Sequence, residues 1–146
     1  MKRTLLISAL LFLFFSASAQ FKAGAGVSFQ LDGSLLGVTG KAHYTINEDF
    51  AGQTSFTYYF EDITIWALDF DVHYAGFDLN VADFAISPLA GINILRWGSG
   101  IFNFSTTNFN IGVNATKDLG SVELFIEPKF SLGNGSSLNI AAGIYF

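Results

Sequence analysis

The chain has 146 residues, no cysteine, a formal charge of −5 and 51% apolar but only 13% charged residues. The missing cysteines exclude a disulfide scaffold, the acidic balance offers no basic stripe to displace the counterions of nucleic acid, and the length fits one domain. Mean hydropathy is +0.43, yet beyond residue 19 no run reaches the roughly 18 apolar residues of a membrane helix, so the apolarity must be carried in a shorter period.

The N-terminus reads MKRTLLISALLFLFFSASAQ, with Lys2 and Arg3 ahead of an apolar run from Leu5 to Phe15 and then Ala17, Ser18 and Ala19. That order predicts a secretory signal peptide over residues 1–19, leaving 20–146 as a single domain. The domain keeps five of the seven basic and all twelve acidic residues, a formal charge of −7.

From there the pattern has period two, the pleat of a strand with unlike faces. Phe21, Ala23, Ala25, Val27, Phe29 and Leu31 alternate with Lys22, Gly24, Gly26, Ser28 and Gln30. Leu36, Val38, Gly40, Ala42, Tyr44 and Ile46 oppose Gly37, Thr39, Lys41, His43 and Thr45. Phe50, Gly52, Thr54, Phe56, Tyr58 and Phe60 oppose Ala51, Gln53, Ser55, Thr57 and Tyr59, and Trp66, Leu68, Phe70, Val72 and Tyr74 oppose Ala67, Asp69, Asp71 and His73. The fifth segment, 79–95, puts Phe84, Ile86, Pro88, Ala90, Ile92 and Ile94 on one face. Leu79 and Val81 are out of phase with it, which predicts a bulge near Val81 and Ala82, and Pro88 argues for an edge or local distortion. Three more segments, 109–116, 122–130 and 138–146, repeat the alternation. Turn residues separate the strands at 32–34, 47–49, 61–62, 76–78, 118–120 and 133–135. Only the connection 96–107 is long. Eight antiparallel segments describe an all-β, up-and-down barrel.

Two such barrels exist, a soluble lipocalin-like one that holds a small apolar ligand and a transmembrane one with its oily row outside. The polar row here is mostly Gly, Ala, Ser, Thr and Asn, which suits the narrow interior of eight strands. Aromatics gather at the strand ends, with Phe21, Tyr44, Phe50 and Tyr74 at one rim and Phe29, Phe60, Trp66 and Phe130 at the other, as bilayer interfaces select. Turning the polar row to lipid would cost up to about 2–4 kcal/mol for each lysine near mid-membrane, and turning the apolar row to water would expose a patch far beyond the roughly 300–600 Å² of an ordinary monomer. The transmembrane barrel is therefore expected.

On that placement Lys22, Lys41, His43, Asp69, Asp71, His73, Asp83, Glu123, Glu127 and Lys129 form a lumenal polar network. Lys22, Asp71, Asp83 and Glu123 should surround the two histidines near one end, with Lys41, Asp69, Glu127 and Lys129 at or above the middle. A metal or proton site at His43, His73 and Asp71 is the functional alternative, but the histidines stand on strands separated by a third and would share one ion only by a long reach, so no metal site and no cofactor are expected. They also point inward, as do Ser28 and Ser55, which leaves a lipid-modifying enzyme as a lesser alternative without its geometry. Partner contacts are expected from the loop 96–107, where Arg96, Trp97, Phe102 and Phe104 form an exposed cluster.

The cleavable leader, LDFDVHYAGF, SPLAGINI and the terminal AAGIYF resemble, across the whole predicted domain, the small eight-stranded outer-membrane barrels of Gram-negative bacteria, the OmpX-like and OmpW-like group. The resemblance implies an outer-membrane location in contact with lipid, short periplasmic turns on the side of both termini, and loops outside. The final strand, with Ile144 and Phe146, is similar to the carboxy-terminal signal read by the barrel-assembly machinery. Most outer turns are short here, unlike those of the adhesins in that group.

Overall fold

A computed structural model describes residues 20–77, 79–99, 102–134 and 136–146, with the side chains of Ser99 and Phe102 excepted. The predicted signal peptide, 1–19, lies outside the described residues. The strands are β1 (Phe21–Gln30), β2 (Leu35–Thr45), β3 (Phe50–Tyr59), β4 (Thr64–Tyr74), β5 (Leu79–Val81), β6 (Phe84–Ser99), β7 (Phe102–Asp118), β8 (Glu123–Leu132) and β9 (Ser137–Tyr145). Every pairing is antiparallel. Sequential neighbours pair throughout, β4 passes over β5 to pair with β6, and β9 pairs with β1, so eight strands close into a barrel. The β1–β9 pairing closes the two outermost edges that an open eight-stranded sheet would expose.

The expected parity holds on every stave, and it turns the usual core inside out. Lys41, Gln53, Asp69, Asp71, His73, Asn110, Glu127 and Lys129 are buried, whereas Val27, Val38, Phe56, Phe70, Val72, Ile92, Phe109 and Ile111 are exposed. The outer surface is therefore a continuous apolar belt, whose stable surroundings are hydrocarbon rather than water. Phe125 is a fully buried aromatic ring in the lumen, packed against the ring of Tyr145. It fits because Gly26 and Gly143 face each other across β1 and β9. A Cβ on Gly143 would lie 2.8 Å from the Phe125 ring.

Three expectations about the middle of the chain need correction. The break in phase at Val81 is no bulge: Ala82 and Asp83 both have positive φ, 51° and 65°, and form a two-residue turn joining β5 to β6, with Val81 opposite Phe84. Such turns need both central residues in the left-handed region because that twist matches the strands. Asp83 consequently sits in an exposed turn, 87% accessible and 3.4 Å from Lys117, and is no part of the lumen. The third correction concerns 96–107, which is largely strand: β6 and β7 pair without interruption from Ala85–Thr116 to Ser99–Phe102.

The prolines fall where the ladders allow them. Pro88 lies one residue beyond the last β4–β6 pair, His73 with Leu89. The β7–β8 ladder lapses between Gly112–Lys129 and Ala115–Ile126 in unchanged register, with Pro128 in the gap, as a residue with no N–H to donate requires.

Candidate functional site

The lumen is the candidate site, because the barrel gathers its charge there. Lys41 from β2 crosses to Glu127 on β8, with Nζ 2.6 Å from Oε1 and 4.7 Å from the centre of the Phe125 ring. Lys129 is the hub. Its ammonium lies 2.8 Å from Asp71, 3.4 Å from Asp69 and 3.5 Å from Glu127, so one cation is shared by three carboxylates.

Neutral groups satisfy the remaining lone pairs, as buried carboxylates require. The Asn110 amide donates to both Asp69 (2.8 Å) and Asp71 (3.0 Å), and Asn93 donates to Asp69 at 2.8 Å. Ser131 holds the Asn110 carbonyl at 2.7 Å and so fixes which way that amide faces. On the other wall the Tyr145 hydroxyl donates to Gln53 (2.6 Å), whose amide donates to Glu127 (2.9 Å). Above this layer Ser28 donates to Asn139 at 2.7 Å and Asn139 to the Tyr59 hydroxyl at 2.6 Å. The free space left at the centre is about 20 Å³, room for one or two waters.

Gly91 belongs to this arrangement, since a Cβ there would collide with the Phe70 carbonyl and the Asp71 carboxylate. Gly91→Ala is expected to destabilise the barrel by about 1–3 kcal/mol, the usual cost of overpacking a filled interior. A urea unfolding titration in detergent checks this, and an unchanged midpoint would contradict the fit.

Of the residues expected in the network, Lys41, Asp69, Asp71, Glu127 and Lys129 are brought together. Lys22 and Glu123 form a separate, partly exposed pair at 2.8 Å in the mouth beside the termini. Asp83 is outside. The histidines are much closer than their strand spacing suggested: the rings of His43 and His73 are 5.3 Å apart and nearly perpendicular, at 84°. Inward side chains of alternate strands converge towards the axis of so narrow a barrel; between them on β3 stand Ala51, opposite His73, and Gln53, opposite His43, whose side chain is engaged with Glu127 and Tyr145. Among the described residues, no group of three or more His, Cys, Asp or Glu side chains is arranged to hold a metal ion. Ser28 and Ser55 bond to Asn139 and Asp69 rather than to a histidine.

The network members that sequence reasoning did not single out are Gln53, Asn93, Asn110, Ser131 and Tyr145. Their signal was their parity, because each stands on an inward row. Arg96, Trp97 and Phe104 lie on β6 and β7, not on a loop. Arg96 sits 5.9 Å over the Trp66 ring and Trp97 stacks on Phe104 at 6.2 Å. The Phe102 backbone pairs with Ser99, and its side chain lies outside the described residues.

No protein-family model matches the sequence, and no curated protein matches it. Solved structures do match the fold. The N-terminal β-barrel domain of Pseudomonas aeruginosa OprF superposes with a TM-score of 0.67 at 13% identity, covering 87% of this chain and 96% of that one. The Yersinia pestis outer membrane protein Ail, in a phospholipid bilayer nanodisc, gives 0.51 at 14% identity over 87% and 99% of the two chains. Ail in complex with the heparin analogue sucrose octasulfate gives 0.50 at 14%, over 87% and 97%. The fold is that of the outer-membrane β-barrels.

Proposed function

We propose that this chain is an integral outer-membrane protein whose lumen is closed by its own side chains, and that it acts as a structural or surface-interaction element of the envelope rather than as a pore or an enzyme. The observation that carries the reading is the lumenal layer of five paired charges with about 20 Å³ of free space. A hydrated ion cannot pass such a layer without breaking it. The outward belt supports the location, since its exposed Val, Ile and Phe side chains have lipid as their natural solvent.

In this orientation the termini and the connections at 46–49, 75–77, 82–83 and 119–122 face the periplasm. The β6–β7 hairpin stands on the outer side. β7 pairs with β8 only from Phe109 onward, so among the described residues 103–107 have β6 as their one ladder partner. That free edge, with exposed Phe104, is the surface we assign to an external partner. During biogenesis, outward-facing Ile144 and the exposed Phe146 at the end of β9 present the features the assembly machinery reads.

Fractionated cells should yield the protein in the outer membrane, migrating faster on a gel when unboiled than when boiled. Planar-bilayer recordings of purified protein should show no steady current. A sustained single-channel conductance would overturn the closed lumen, and recovery of the mature chain from the soluble periplasm would overturn the location.

A further inference from the structure

The two histidines form a second feature of the lumen, separate from the charge layer. His73 is only 2% accessible, yet neither of its ring nitrogens has a hydrogen-bond partner, and the buried Nδ1 of His43 has none either. A buried polar nitrogen left unpaired costs about 1–3 kcal/mol. Three such nitrogens fall on two neighbouring rings, whereas Asn108 and Asn114 each leave one buried side-chain oxygen without a partner.

The geometry points to a binding site for a late first-row transition-metal ion of the zinc or copper class, held between His43 and His73. Two imidazoles bound to one tetrahedral ion through nitrogens at about 2.1 Å have ring centroids roughly 5 Å apart, and the observed separation is 5.3 Å. The rings stand on β2 and β4, on either side of β3, and at this separation one ion can lie within reach of a nitrogen of each. Neutral imidazole is a ligand that suits such ions.

Charge also favours a cation. Among the described residues, the ion pairs of the lumen and its mouth are built from Lys22, Lys41 and Lys129 and from Asp69, Asp71, Glu123 and Glu127, one negative charge in excess when both imidazoles are neutral. His43 is half-buried and lies towards the Lys22–Glu123 mouth, where Lys22 is its neighbour on β1, so an ion can arrive from the side of the termini. With two protein ligands and water completing the shell, the site differs from the closed four-ligand sites that fix structural zinc and should load and release reversibly.

Tag-free mature protein, folded in detergent, is titrated with zinc chloride and with copper(II) chloride and bound metal is counted after equilibrium dialysis. Wild type should bind one equivalent at micromolar free metal. His43→Ala and His73→Ala should each weaken that binding by about 100-fold or more, because loss of even an outer-sphere partner costs roughly 10- to 100-fold. Both variants should keep the heat-dependent gel shift of the folded barrel, and His43→Gln serves as a second variant if the alanine form does not fold. Absence of stoichiometric binding, or binding that survives both substitutions, would overturn the site while leaving the closed-barrel reading intact.

Discussion

Replacing Lys129 by methionine is expected to destabilise the folded barrel by about 3–5 kcal/mol, the cost of leaving buried charge without its partner. The effect should be the largest of any single lumenal substitution, because Lys129 alone touches Asp69, Asp71 and Glu127, whereas Lys41 pairs with Glu127 only. Adding Asp71→Asn to Lys129→Met should recover part of the loss, since it removes one of the stranded carboxylates, and the double-mutant cycle should show coupling well above the few tenths of a kcal/mol typical of independent sites. Urea midpoints in detergent micelles measure all three proteins. A Lys129→Met barrel as stable as wild type would mean that the lumen is wet enough to solvate its carboxylates, and the closed interior would fall with it.

Ile92→Arg tests the opposite wall. Ile92 faces outward between Phe70 and Phe109, midway along its stave, where an arginine should cost about 2–4 kcal/mol of folding free energy in a bilayer. Leu31→Arg, at the rim, should cost no more than about 1 kcal/mol by the same depth dependence. Folding into lipid vesicles, followed by the gel shift, reads both. A soluble barrel would reverse the outcome, because a new surface arginine would then be harmless or would improve solubility. Equal behaviour of the two variants would remove the bilayer from the account.

What the sequence disclosed was whatever depends on parity and turn chemistry. The rows carrying Asp69, Asp71, Glu127 and Lys129 inward and Phe70, Ile92 and Ile126 outward are written in alternate letters, and a single slip would have put the aspartates in lipid. What it concealed depends on the third dimension. Extending a strand through Ala82 places Asp83 in the lumen, because nothing in the letters announces a pair of left-handed residues that are not glycine. Counting strands around the wall makes the histidines remote, a measure that ignores how inward side chains converge across so small a circle. The segment from Arg96 to Thr107 reads in the sequence as one long connection, whereas Trp97 and Phe104 stand opposite each other in the β6–β7 ladder.

The joint between β1 and β9 sets the order of events in folding. It binds residues 24–30 to residues 139–145, and the amide of Phe146 itself donates to Ala23 at 2.7 Å. Contacts between the two ends of a chain carry the greatest loop-closure entropy and form late. The other hairpins can assemble locally as a curved ribbon, but the ribbon's two margins stay open until the last strand arrives, so a chain cut short before β9 forfeits closure as a whole rather than losing one eighth of its wall.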